Sequence, residues 1–99
     1  MVTVLQTDEF ERWLSKLRDR EALLRIQLRI RRLALGLFGD AKFFDGIGEL
    51  RIDYGPGYRL YFLRRGADIV VLLCGGDKST QRRDIARARK LAEDDNNGA

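Results

Sequence analysis

Residues Ile69 to Cys74 form an unbroken apolar run in a chain of 99 residues. Such a run fits an interior strand covered on both faces, so the fold needs a layer of structure on each side of a sheet. A chain of this length can bury about two thirds of its unfolded surface, enough for one modest core and one domain.

Two alternating stretches precede that strand. In Glu49–Tyr54, Leu50 and Ile52 fall on one side and Glu49, Arg51 and Asp53 on the other; Tyr58–Arg65 alternates in the same way. Gly55-Pro56-Gly57 reads as the hairpin turn between them and Gly66-Ala67-Asp68 as the next turn. The result is a three-strand meander. A symmetric first turn sets Tyr54 opposite Tyr58, Asp53 opposite Arg59 and Arg51 opposite Tyr61. The parity of this pairing is better fixed than the partners, because a slip of one residue would turn the apolar set to water.

The first half of the chain reads as a short strand, Val2–Gln6, followed by two helices. Thr7 is a natural N-cap, Asp8 and Glu9 suit the positive end of a helix, and Phe10, Trp13, Leu14 and Leu17 recur at helical spacing up to about Arg18. In the second helix, Arg20–Leu35, residues Leu23, Ile26, Ile30, Leu33 and Leu37 make one apolar stripe, and Leu24, Leu28 and Leu35 a second. The economical arrangement packs one stripe on the sheet and the other on the first helix. Arg25, Arg29 and Arg32 fall between the stripes, with no acidic residue four positions after any of them. This ridge could track phosphates or be a solvated face. Leu37–Gly48 reads as a loop whose Phe38, Phe43 and Phe44 plug the edge of the core.

After Gly75-Gly76-Asp77-Lys78, Ser79 or Thr80 can cap a last helix running to about Asp94, with Ile85, Ala88, Leu91 and Ala92 as its small apolar anchors. The expected fold is therefore α+β, in the order β-α-α-β-β-β-α, a helical hairpin on a mainly antiparallel four-stranded sheet. Residues 1–93 make the single domain and the polar residues 94–99 a disordered tail.

Composition narrows the chemistry. The chain has no histidine and one cysteine, Cys74, which excludes a Ser-His-Asp triad, imidazole acid–base work, a disulfide framework and Cys/His metal sites. No metal or cofactor is expected. Nineteen Lys+Arg, all but Lys16, Lys42, Lys78 and Lys90 being arginine, stand against fifteen Asp+Glu, for a net +4. Arginine presents a planar, permanently charged fork that matches phosphate, which favours a polyanionic partner such as nucleic acid. No apolar stretch approaches a membrane span, and Met1–Thr7 lacks the features of a secretory signal, so a cytoplasmic protein is expected.

The strand parity sends Arg51, Asp53, Arg59 and Tyr61 out of one sheet face, and the Gly75–Lys78 segment can bring Lys78 beside them. Breaking RNA requires activating a 2′-hydroxyl, stabilising a pentavalent phosphorane and protonating the departing 5′-oxygen. Arg51 and Arg59 can clamp the developing charge, and Lys78 can act as general acid, or as base if its pKa is lowered. The bland alternative is a cross-strand ion pair between Asp53 and Arg59 worth a fraction of a kcal/mol. Gly75-Gly76 lacks the spacing of a phosphate loop.

The block Glu49-Leu-Arg-Ile-Asp-Tyr-Gly-Pro-Gly-Tyr-Arg-Leu-Tyr-Phe62, followed by Leu72-Leu-Cys-Gly-Gly-Asp-Lys-Ser-Thr-Gln81 and an Asp84-Ile85 step, resembles the addiction-module killer proteins of the HigB-like branch of the RelE/ParE toxin superfamily. The likeness extends from the strand at Val2 to the last helix. It implies the toxin of a bacterial type II toxin–antitoxin system, a ribosome-dependent, metal-independent endoribonuclease (mRNA interferase) that inhibits translation and growth. The implied partners are the ribosome, mRNA and a cognate antitoxin, a helix-turn-helix protein of the HigA kind. Carried over by position, Arg59 matches the arginine that contacts the scissile phosphate, Arg51 lies near a strand position that is basic in relatives, and Lys78 matches the basic residue after the last strand. Arg25, Arg29, Arg32, Tyr58 and Gln81 become candidate RNA contacts. Some relatives use histidine or a C-terminal tyrosine for proton transfer. Here Asp84 or Ile85 stands near that tyrosine's place, leaving Tyr58, Tyr61, Asp53 and Asp77 as candidates beside Lys78. The other function open to the fold is that of the ParE branch, a non-enzymatic toxin that inhibits DNA gyrase.

Overall fold

The computed structural model describes residues 1–97 and is α+β, with three α-helices against a mixed sheet of five strands. The strands are β1 (Thr3–Gln6), β2 (Ala41–Phe44), β3 (Ile47–Ile52), β4 (Tyr58–Arg65) and β5 (Ile69–Asp77), and the helices α1 (Asp8–Ser15), α2 (Arg20–Ala34) and α3 (Gln81–Asn97). The sheet order is β1-β5-β4-β3-β2, with only the β1–β5 pairing parallel. No helix among the described residues is long and apolar enough to cross a membrane.

The apolar run lies in β5, between β1 and β4, with helices over both faces. On one face Leu50, Ile52, Leu60, Phe62, Val70 and Leu72 meet Phe10 of α1 and Ala22, Ile26 and Leu33 of α2. On the other, Ile47, Tyr61, Leu63, Val71, Leu73 and Cys74 meet Ala88 and Ala92 of α3, whose small side chains let the helix approach the sheet closely. Each large side chain so buried contributes roughly 1.5–3 kcal/mol.

Several expectations need correction. The sheet has five strands rather than four, because the segment read as a loop contains β2. Asp45 and Gly46 both take positive φ (51° and 80°) and close a two-residue hairpin in which Phe44 faces Ile47 and Ala41 faces Leu50. An Asp-Gly pair is the preferred filling for such a turn. The β3–β4 register is displaced by two residues: Arg51 pairs with Arg59, Glu49 with Tyr61 and Ile52 with Tyr58. Parity survives this displacement, so the apolar faces are as expected.

The extra loop residues are Asp53 and Tyr54, which leave the ladder; the Tyr54 hydroxyl donates to the Asp19 carboxylate at 2.9 Å. Asp19 is also the N-cap of α2, accepting from the backbone of Glu21 and Ala22. Thr7 caps α1 as expected, accepting from the Phe10 N–H at 3.0 Å. Neither Ser79 nor Thr80 caps the last helix. Asp77 instead caps a short 3₁₀ turn, Lys78–Thr80, that leads into α3. That helix runs to Asn97, so residues 94–97 are helical where a tail was expected; 98–99 lie outside the described residues.

The second leucine stripe of α2 does not pack on α1. Leu24, Leu28 and Leu35 are exposed, as is Leu37 from the first stripe. Both helices instead turn one face to the sheet, with Leu14, Leu17 and Ile30 packed at the margin of that core.

Candidate functional site

The face of the sheet opposite α1 and α2 is only partly covered by α3. Beyond that cover, a cleft of about 440 Å³ is lined by Asp40, Arg51, Asp53, the Gly55–Gly57 turn, Arg59 and Lys78. Four of the five residues expected to carry chemistry therefore meet in one place: Arg51, Asp53, Arg59 and Lys78. They arrive by separate routes. Arg51 and Arg59 are directly opposite each other on β3 and β4, Asp53 opens the turn, and Lys78 begins the 3₁₀ turn after β5.

The hairpin turn and Lys78 are held together by backbone. The Lys78 N–H points to the Pro56 carbonyl at 3.4 Å, a long hydrogen bond. Gly57 has φ +78°, and a Cβ there would sit 3.5 Å from Lys78 Cβ and 3.4 Å from Arg59 Nη1. Those are ordinary contacts, so it is the positive φ of the turn and not the space that calls for glycine here.

Two like charges facing across a ladder are unfavourable unless compensated. Arg51 is compensated by Asp40, whose Oδ1 accepts from Nε at 3.1 Å and from Nη2 at 2.6 Å. Arg59 has no carboxylate partner among the described residues. Its Nη1 donates to the carbonyls of Gly57 (3.1 Å) and Tyr58 (3.3 Å), and its buried Nε has no hydrogen-bond acceptor. The expected Asp53–Arg59 ion pair is not formed, because the register places Arg51 opposite Arg59. The cleft thus holds one neutralised and two free cationic groups beside the carboxylate of Asp53, a net positive site suited to an anion.

Tyr61 is not part of it. The side chain is fully buried beneath α3, its hydroxyl lies near the Glu49 carboxylate without a hydrogen bond of good geometry, and burial first, then the Glu49 charge, pushes its pKa far up. A hydroxyl so placed does not line the cleft. Tyr58 is on the opposite face, in the core, edge-on to Trp13 with ring centroids 6.3 Å apart; burial raises its pKa too. Asp77 caps the 3₁₀ turn through hydrogen bonds with Ser79 that hold its pKa down. Asp84 is buried and accepts from the Thr80 hydroxyl. Gln81 donates to the buried Glu49 at 2.8 Å.

The arginine ridge is also divided. Arg29 turns inward: Nη1 donates to the Arg51 carbonyl, and Nη2 to the carbonyls of Phe38 at 3.0 Å and Asp40 at 3.1 Å. Burial lowers its pKa, and its place is structural, pinning α2 to the approach of β2 and to β3. Arg25 does have an acidic partner, Glu21, four residues before it, with Nε to Oε2 at 2.9 Å, and it lies over the Tyr54 ring at 4.7 Å. Of the three, Arg32 is exposed and free of an ion pair among the described residues.

Asp40 is the cleft residue that sequence reasoning missed. The signal was available in Asp45-Gly46: reading that pair as a hairpin turn places residue 40 beside residue 51.

No family model matches the chain. It is 50% identical over 94 residues to an uncharacterized protein of Haemophilus influenzae, in an alignment spanning 94% of this chain and 95% of that protein. The chain belongs to that protein's family.

Proposed function

We propose that the chain is the toxin of a bacterial type II toxin–antitoxin system, of the HigB-like branch of the RelE/ParE superfamily, and cleaves mRNA on the ribosome. The observation that carries this reading is the convergence of Arg51, Arg59 and Lys78 on one open cleft, with Arg59 lacking an acidic partner. The antiparallel run of β3, β4 and β5, with β1 parallel beside it and two helices preceding, supports the RelE-like assignment of the fold.

In this mechanism the 2′-oxygen of one nucleotide attacks the adjacent phosphorus. The new O2′–P bond forms as the P–O5′ bond breaks, leaving a 2′,3′-cyclic phosphate and a free 5′-hydroxyl. Arg59 and Arg51 hold the non-bridging oxygens, whose charge grows in the pentavalent state. Asp53, exposed at the cleft, accepts the 2′-hydroxyl proton, and the Lys78 ammonium supplies the proton to the 5′-oxygen. Tyr61 has no part in it, and of Arg25, Arg29 and Arg32 it is Arg32 that is left free of the protein's own acceptors.

Expressing the chain alone in a bacterium and mapping the 5′ ends of cellular mRNA tests the reading. Cuts in translated messages that vanish in Arg59→Ala and Lys78→Ala are expected. Growth arrest with intact mRNA and broken DNA would overturn it in favour of a gyrase inhibitor.

A further inference from the structure

The outer face of α2 is the feature that the cleft does not explain. Leu24, Leu28 and Leu35 are 62%, 45% and 62% exposed. Rotating about 100° per residue, these leucines and Arg31 fall within roughly 60° of arc, directly away from the buried Ala22, Ile26 and Leu33. The stripe is about 16 Å long, or three helical turns. Single exposed leucines are ordinary, but three aligned on the solvent side of one helix mark an interaction surface.

Charge says what covers it. Helix α2 carries five arginines and one glutamate, so it alone holds an excess equal to the +4 of the whole chain. Arg29 is spent on backbone carbonyls and Arg25 on Glu21, which leaves Arg20, Arg31 and Arg32 beside the leucines. A second copy of the chain would set these arginines against themselves. RNA would bury leucines against phosphates without gain. A lipid surface is poorly matched by a stripe with no aromatic residue.

We propose that this face docks an acidic amphipathic helix of a partner protein, with leucine-type side chains entering between Leu24, Leu28 and Leu35 and carboxylates pairing with Arg20, Arg31 and Arg32. This is the helix-in-groove mode, with anchors at i, i+4 and i+11. The inference stands apart from the RNA-cleavage reading and is tested without it.

The probe is a fluorescein-labelled synthetic peptide of about four turns, with leucines on one helical face and glutamates flanking them. Its control has the same composition permuted so that no apolar face forms. Anisotropy with the full chain should show saturable binding to the first peptide and at least tenfold weaker binding to the second. Leu28→Glu should lose at least tenfold while keeping the wild-type thermal melt, since Leu28 packs into no core. Arg31→Glu should also weaken the acidic peptide and should prefer a lysine-flanked version. Equal binding of both peptides would overturn the proposal by showing charge attraction alone. A dimer in sedimentation that Leu28→Glu dissolves would assign the face to a second copy. Leu28-dependent binding to phosphatidylglycerol vesicles without peptide binding would assign it to lipid.

Discussion

Arg51 and Arg59 face each other directly across β3 and β4, and only Arg51 has a carboxylate, Asp40, to offset its charge. Opposed like charges in a ladder cost a few tenths of a kcal/mol to about 1 kcal/mol. Replacing Arg59 by glutamine removes that repulsion together with a buried, unpartnered Nε. We expect Arg59→Gln to melt at the same temperature as the wild type or up to about 4 °C higher, while losing RNA cleavage and inhibition of growth. Arg51→Gln strands the Asp40 carboxylate and should not gain stability. Parallel melts and toxicity assays of the two variants check this; a clear drop in melting temperature for Arg59→Gln would make that arginine a structural residue.

Tyr61 offers a test of the opposite sign. Its hydroxyl is buried under α3, beside Glu49 but without a hydrogen bond of good geometry, and lies outside the cleft. Removing an unsatisfied buried hydroxyl is neutral or favourable by about 1 kcal/mol. Tyr61→Phe should keep full activity and gain or hold stability in urea denaturation. Loss of cleavage in a folded Tyr61→Phe would return this tyrosine to the mechanism.

The contrast between these two residues shows what was legible in the sequence. Alternation sets which face each strand side chain leaves, so the sharing of one face by Arg51 and Arg59 is legible, whereas Asp53 reaches the cleft from the turn, outside the ladder. The partners were not legible, because the hairpin's length depends on Tyr54 reaching Asp19, 35 positions earlier in the chain. Tyr61 shares the face of Arg59, and only the path of α3 after the Asp77 cap separates a buried end of that face from an open one. Thr7 and the inward stripe of α2 rest on local chemistry and were legible. The outward leucines were not, since periodicity reports two apolar stripes without saying that one of them lacks a neighbour within the chain. Asp40 was hidden by reading Asp45-Gly46 as loop rather than as a hairpin turn.

Gly76 is held by a close approach rather than by its backbone angles. A Cβ on Gly76 would lie 1.8 Å from Asp84 Oδ2 and 3.0 Å from Thr80 Oγ1, the pair whose hydrogen bond joins the 3₁₀ turn to α3. Gly76→Ala must push that pair apart. Overpacking of this kind costs about 1–3 kcal/mol. The urea midpoint should fall accordingly, and because Lys78 rides on the same turn, activity should fall further than stability alone explains. A midpoint within error of the wild type would mean that Asp84 moves freely.

The ion pair between Glu9 of α1 and Arg87 of α3 spans the groove in which Cys74 is buried, with Arg87 Nη2 and Glu9 Oε1 2.6 Å apart. The Arg87 hydrogen bond is the main cause of Glu9's lowered pKa, relative to an ordinary value of 4.5. A carboxylate depressed in the folded state adds stability above its unfolded pKa and loses it as pH falls through the folded one. Arg87→Gln should therefore lower the melting temperature by a constant amount above about pH 5, and the gap should close as the solution is made more acidic. The thiol reports the same opening independently. Burial first, then the Asp84 charge, raises the Cys74 pKa to about 12, so a disulfide reagent at pH 8 should label it only as fast as the groove opens. Arg87→Gln should speed that labelling at pH 8, and the difference between the two proteins should shrink as acid protonates Glu9 in the folded state. A melting gap that does not narrow with acid, or labelling indifferent to Arg87, would assign the α1–α3 contact to packing alone.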